Sequence, residues 1–465
     1  MAIPDESQKI PLGEKLGYAL GDFASNLFWM PFVLFGPYYY TDVFGISATA
    51  VGVMLLVARV FDTANDPLMG LYADRSPIVA GLGRYRPFLR RFAIPFGFIG
   101  ALAFFTPNVS PGLKLLYAWV TYTLFGVIYT AINIPYSALM SVLSTDASER
   151  ASVSSFRMVG AQVAGLLVSS GLLYFVTLVG GGTGQVEQQR GFFIVMGVLA
   201  LLSIGLWYGA AQTTRERALD PAIPPGAVKE DLAAILGSPV WWLLFVISFF
   251  TIAAFTLRFG VAAYYFKYYA DPAAVAAFSL YEGGAISAFF TLNTIASLLG
   301  VFSYSFFASR IDKKILFLVL AVAAGLLSLR FYFIVPADVA GIVFTQAVFG
   351  FLTAPLGALL FAMYTDISVY LKAETGVSAS GLVMSAGSFA QKFGWAIGGA
   401  LTGLLLGWAG YVPDQPQSEQ VRDIMRFMMS FAPAICCAVG AGLMIVYPLG
   451  DRKMRELAAR ETSGE

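Results

Sequence analysis

Apolar residues fall in long runs rather than alternating with polar ones, and short charged clusters separate the runs. Twelve runs reach the roughly 20 residues that an α-helix needs to cross a bilayer. They cover 17–41, 46–74, 90–107, 113–143, 152–179, 191–211, 238–269, 282–309, 315–335, 338–366, 377–408 and 427–449. Runs beyond the minimum length predict tilted or bent helices. The Pro and Gly residues inside them are tolerable only where neighbouring protein satisfies the freed backbone groups.

The largest polar connector, Ala211 to Ser238, carries Arg215, Glu216, Arg217, Pro221, Pro224 and Pro225. It predicts an N-terminal six-helix half over 1–211, a linker over 212–237, a second half over 238–450 and a tail over 451–465. Basic residues are unequally shared between the two sides. Arg75, Arg84, Arg86, Arg90, Arg91, Arg310, Lys313, Lys314, Arg452 and Lys453 fall on the side of the termini. Lys114, Arg190, Lys267, Arg422 and Arg426 fall on the other. That asymmetry predicts both termini in the cytoplasm of a bacterium whose inner membrane holds the chain.

Composition strengthens the membrane assignment: 58% of residues are hydrophobic and 12% charged, about half the charge of a soluble domain. A chain with that supply cannot build an ordinary solvated surface, so lipid is its main partner. The net charge of +1 offers nothing to nucleic acid, and the absence of histidine removes the commonest zinc ligand and general base. The adjacent Cys436 and Cys437 read as free thiols, not a disulfide. Met1 to Leu16 is polar, without the apolar core of a signal peptide.

The informative residues are the polar ones inside apolar runs. Asp62, Asn65 and Asp66 lie three and four apart, hence on one helical face. Two carboxylates within a turn repel unless a proton or cation joins them, so the pair reads as a site for Na+ or H+. With Na+, Asp62 and Asp66 are the metal ligands. A structural salt bridge with Arg59 or with a base on another helix is the competing explanation. Pro67 removes the donor for the Thr63 carbonyl and leaves an oxygen near the pair. Asp22 and Asn26 share a face of the first run, and Tyr129, Thr130 and Asn133 share one in the fourth. Both faces suit a polar solute, or else polar contacts between helices.

Arg157 and Lys392 are intramembrane bases on opposite halves, suited to an anionic substrate group or to neutralising Asp62 and Asp66. Arg258 is a third candidate anion anchor, unless an acid such as Glu282 pairs with it. Trp29, Trp395, Tyr264 and Tyr265 offer rings to a sugar. Asp74, Arg75, Asp146, Arg310 and Asp366 mark the ends of the second, fourth, eighth and tenth runs, where paired charges would latch an inner gate. Two six-helix halves with such latches point to alternating access.

A family likeness runs through these residues. Lys15-Leu16-Gly17-Tyr18, the block Tyr38 to Gly45, Val57 to Pro67, Gly83-Arg84-Tyr85-Arg86-Pro87, Asn133-Ile134-Pro135-Tyr136 and Gln391-Lys392 span nearly the whole core. Together they resemble the glycoside-pentoside-hexuronide:cation symporters, the melibiose-carrier-like branch of the major facilitator superfamily. The resemblance implies an all-α membrane fold and no enzymatic activity. It places coupling-cation ligands at Asp62, Asn65 and Asp66, with Thr130 nearby. It also implies a role for Asn133 in both sites, and for Arg157 and Lys392 near sugar and cation.

Two positions depart from the melibiose pattern: Asn26 stands where an aspartate is expected and Ser137 where a tryptophan is expected. The expected function is therefore symport of a small solute, a sugar, glycoside or hexuronide-like anion, driven by Na+ or H+ in a monomer without other cofactors. A lysolipid-type transporter and a non-transporting receptor or scaffold are the alternatives.

Overall fold

Helices follow the apolar runs closely. In the computed structural model, which describes residues 9–144, 146–217, 233–278, 284–308, 310–375 and 380–456, nothing more extended than a single β-bridge is present among those residues. Two compact units result, Met1–Ala222 and Ile223–Glu465. Glu282, much of the connector and most of the tail lie outside the described residues, as do the side chains of Arg59, Thr63 and Pro67.

The first unit contains α1 (Leu12–Tyr38), α2 (Ala48–Asp74), α3 (Arg86–Leu102), α4 (Pro111–Leu143), α5 (Ala147–Gly180) and α6 (Gln185–Thr213). The second contains α7 (Pro239–Tyr264), the short α8 (Pro272–Ala277), α9 (Gly284–Ala308), α10 (Lys313–Phe333), α11 (Val339–Thr375), α12 (Ser380–Trp408), α13 (Glu419–Met429) and α14 (Phe431–Val446). Local chemistry sets the starts. Ser47, Ser238, Asp312 and Ser418 accept hydrogen bonds from the first-turn N–H groups of α2, α7, α10 and α13. Pro111 and Pro239 open α4 and α7, where a missing N–H costs nothing.

Eight helical segments among the described residues are long and apolar enough to cross a membrane. The expected spans outside that set are α1, α2, α3 and α12. Three of these carry charged residues within the expected spans, with Asp22 in α1, Asp62 and Asp66 in α2 and Lys392 in α12. The last expected span is longer than its apolar run. It begins with α13, whose Val421, Met425, Met428 and Met429 are buried while Glu419, Arg422 and Asp423 face outward. That face is amphipathic, so a continuous-run criterion passes over it.

Each unit repeats one packing scheme. In the first, α1 packs on α5 and α6, α3 on α4 and α6, and α2 on α4. In the second, α7 packs on α12 and α14, α10 on α11 and α14, and α9 on α11. Glycines permit the closest approaches: a Cβ on Gly160 would stand 2.5 Å from the Ala19 carbonyl, and one on Gly300 2.2 Å from that of Phe351. The first helix of each unit also ends in a π-helical turn, Tyr39–Val43 and Tyr265–Tyr269.

One expectation fails here. Arg258 is fully buried in the second unit and does not present its guanidinium to a cavity. Nη2 donates to Ser328 Oγ and to the Met429 carbonyl, both at 2.7 Å, and Nη1 to Gln346 at 3.4 Å. Phe349 and Phe331 cover its faces at 3.8 and 4.6 Å. The Met429 carbonyl needs that donor because Pro433, four residues on, has no N–H to give it. Arg258 therefore joins α7, α10 and α11 to the break between α13 and α14, and no solute reaches it in this conformation.

Candidate functional site

The site is built where α2 meets α4 in the first unit. On α2, Asp62 and Asp66 are one turn apart and partly exposed, with Asn65 between them on the same side. Opposite stand Gly126 and Thr130, also one turn apart on α4. Thr130 donates its hydroxyl to Asp66 Oδ1 at 2.9 Å. A Cβ on Gly126 would lie 2.4 Å from Asp62 Oδ1, so the missing side chain is what admits that carboxylate. Two acids thus share a wall with a hydroxyl and bare backbone, which supplies oxygens for a hard cation or a lodging for a proton. Among the described residues no cluster of three acidic, Cys or His side chains has metal-site spacing. A cation here would therefore draw neutral oxygens as well as carboxylates.

Next to this wall, α1 and α4 carry the second polar group. Asp22 and Asn26 lie one turn apart on α1, and Tyr129 and Asn133 one turn apart on α4; all are partly exposed. Asn26 and Asn133 each give an Nδ2 hydrogen to a carbonyl of their own helix, Asp22 and Tyr129, at 2.8 and 3.1 Å. Ser25 donates to Asn133 Oδ1 at 2.8 Å. Trp29 and Tyr129 bring their rings to 5.4 Å, an apolar plate beside the amides.

Arg157 of α5 meets Asp22 at 2.7 Å through Nε and lies 5.2 Å over the Tyr136 ring. Its carboxylate partner is therefore Asp22, not Asp62 or Asp66. Beneath them Tyr18 and Tyr136 each donate their hydroxyl to the other's backbone carbonyl, at 2.8 and 2.7 Å, with rings stacked at 4.5 Å. Gly21 makes room for that ring, since a Cβ there would be 2.4 Å from it.

Within the second unit, Lys392 is exposed on α12, and Trp395 is half-buried three residues later on the same side. Of the proposed latch residues, Asp74, Arg310 and Asp366 make contacts within their own units, and Arg75 and Asp146 are exposed. Asp74 accepts from the Tyr85 hydroxyl at 2.9 Å, and Arg310 stacks on Phe306 at 3.7 Å. Asp366 pairs with Lys313, which also reaches Asp451 at 3.4 Å.

Sequence reasoning missed Gly126 and Ser25, and also Glu216. The Glu216 carboxylate accepts from the N–H groups of Arg84, Tyr85 and Arg86 at 2.7, 2.8 and 3.0 Å and so caps α3 from the far end of the unit. Gly83, at φ +85°, turns the chain into that cap. The Gly-Arg-Tyr-Arg-Pro stretch was the available signal for it.

The family profile described as "MFS/sugar transport protein" matches residues 17–451. The chain belongs to that MFS/sugar transport family. Its relatives include the isoprimeverose transporter of Lactiplantibacillus pentosus, 31% identical over 97% of this chain and 92% of that protein. The inner membrane symporter YicJ of Escherichia coli (strain K12) is 31% identical over 94% and 91%. Among solved structures, the xylose transporter XylE from E. coli in its inward-open conformation superposes with a TM-score of 0.59 over 96% of this chain and 98% of that one, at 14% identity. A bacterial Spinster homologue superposes at 0.66 over 94% and 95%, also at 14% identity. At such identity these structures speak for the fold alone. As a member of the MFS/sugar transport family the protein is a multi-pass membrane transporter and not an enzyme.

Proposed function

We propose that this protein is a symporter of a bacterial inner membrane, with both termini cytoplasmic, that couples entry of Na+ or H+ to uptake of a neutral glycoside and works as a monomer. The observation that carries this reading is the pairing of Asp62 and Asp66 with a helix stripped of its side chain at Gly126 and carrying a hydroxyl at Thr130. Two acids so close favour a visiting positive charge, and filling the site lowers the cost of a solute bound beside Asn26, Tyr129 and Asn133. If cation and solute stabilise each other by about 1–3 kcal/mol, each tightens the other roughly 5- to 150-fold.

A neutral solute is preferred to a hexuronide-like anion for a physical reason. Arg157 is already matched by Asp22 and Arg258 is enclosed, so neither arginine offers uncompensated charge to a carboxylate. The relative named for isoprimeverose supports a sugar-type solute, and the bias of basic residues supports the orientation.

The decisive experiment is counterflow of labelled glycosides in proteoliposomes, repeated with and without Na+ at fixed pH and with and without a proton gradient. Exchange that responds to one of the two cations is expected. Binding without exchange would identify a receptor. Exchange indifferent to both cations would end the symport reading.

A further inference from the structure

A groove at the foot of α10 has chemistry that transport does not use. Asp312, Lys314 and Ile315 form one wall, and Pro448, Gly450, Arg452, Lys453 and Glu456 from the chain after α14 form the other, around about 430 Å³. Three bases face two acids, and both acids are engaged. Asp312 accepts the N–H groups of Lys314 and Asp451 at 2.9 and 2.8 Å, and Glu456 meets Arg452 Nε at 3.3 Å.

The bases keep donors to spare. Lys314 gives two of its three hydrogens to the Ile445 and Tyr447 carbonyls, each at 2.8 Å. Arg452 retains its Nη groups, and no hydrogen bond or ion pair from the Lys453 ammonium is present among the described residues.

An apolar track leads away from this cationic groove. Ile315, Val319, Val322 and Leu326 follow one another at steps of four, three and four along one face of α10, between 48% and 65% exposed. Ile445 and Val446, on the neighbouring α14, are exposed beside its lower end. A soluble anion would use the groove and leave the track idle, whereas a lipid fills both. Cationic pockets between spanning helices at the membrane surface are where acidic headgroups settle.

We propose that this groove binds the phosphate headgroup of an anionic phospholipid, with an acyl chain lying along Ile315, Val319, Val322 and Leu326. The bound headgroup engages Lys314, Arg452 and Lys453. It thereby holds the chain after α14 against α10, next to Asp451, whose carboxylate shares Lys313 with Asp366.

The test uses the purified full-length protein in phosphatidylcholine nanodiscs doped with phosphatidylglycerol, read by thermal-unfolding midpoint and by lipid retention in native mass spectrometry. Phosphatidylglycerol should raise the midpoint and be retained. R452Q and K453Q should each weaken its retention about fivefold, while R91Q, an exposed base of the first unit, leaves it unchanged. Inorganic phosphate or glycerol 3-phosphate added to undoped discs should not raise the midpoint. Equal retention by the R452Q/K453Q double variant would overturn the site. A rise with either soluble phosphate matching that with phosphatidylglycerol would overturn the lipid as its ligand. Neither measurement involves transport, so failure of symport and failure of the lipid site are separately visible.

Discussion

Asp62 lays its carboxylate against Gly126 so closely that a Cβ there would stand 2.4 Å from Oδ1. Gly126→Ala therefore displaces the acid or pushes α2 from α4, an overpacking cost of about 1–3 kcal/mol. The expected result is a cation dependence of uptake shifted about tenfold or more toward higher concentration, with solute counterflow retained. An unchanged cation titration would remove Gly126 from the site.

Thr130 is the hydroxyl donor to Asp66. Thr130→Val keeps the shape and deletes a hydrogen bond to a charged group, worth about 1.5–3 kcal/mol. A sodium-coupled carrier should need at least several-fold more Na+ for half-maximal uptake, whereas a proton-coupled one should show no such dependence on Na+. Uptake measured across pH at fixed Na+, then across Na+ at fixed pH, separates the two.

Asp22 and Arg157 form an ion pair from α1 to α5. Removing either partner leaves an unmatched charge, so Asp22→Asn and Arg157→Gln should each cut solute affinity sharply, and the double variant should recover part of the loss. The coupling energy from that cycle should fall at about 0.5–3 kcal/mol. Additive losses would mean that the two residues act on the solute separately.

Arg258 supplies a different kind of prediction. Arg258→Leu strands Ser328, Gln346 and the Met429 carbonyl, each loss costing about 1–3 kcal/mol. The variant should unfold at a markedly lower temperature while the folded fraction keeps its solute affinity in a binding titration. Normal stability with lost affinity would return Arg258 to the binding site.

Glu149, just before the membrane-spanning part of α5, accepts hydrogen bonds from Lys15 and from the Ile10 N–H, at 2.9 and 3.1 Å. These bonds, that of Lys15 first, hold its carboxyl below the ordinary 4.5. A value lowered by folding means stabilisation that is complete above about pH 4.5 and lost as pH falls through the lowered value. Protection of the Ile10 amide from hydrogen exchange, corrected for intrinsic rates, should vanish over that acid range in the wild type. In Glu149→Gln it should be weak at every pH tested.

Most of the helices were legible because long apolar runs mark them, and the acids of α2 stood out because carboxylates are rare in such company. Asp62 and Asp66 therefore needed no structure to be noticed. Their surroundings did: Gly126 is one of 47 glycines, and nothing in its sequence neighbourhood says that an aspartate from another helix lies on it. Charge partners were misjudged for a related reason. Spacing places Arg157 and Arg258 within helices but does not say which neighbouring helix each one faces, and Arg258 meets a carbonyl released by a proline far along the chain. α13 was missed because its polar face masks its buried methionines.

The crossed hydroxyl bonds of Tyr18 and Tyr136 make α1 and α4 travel as one piece. Sliding either helix by half a turn would break two bonds and a ring stack at once. Any opening of the first unit must therefore hinge elsewhere, and the asparagines at positions 26 and 133, carried by these same two helices, keep a fixed spacing, like two teeth on one key.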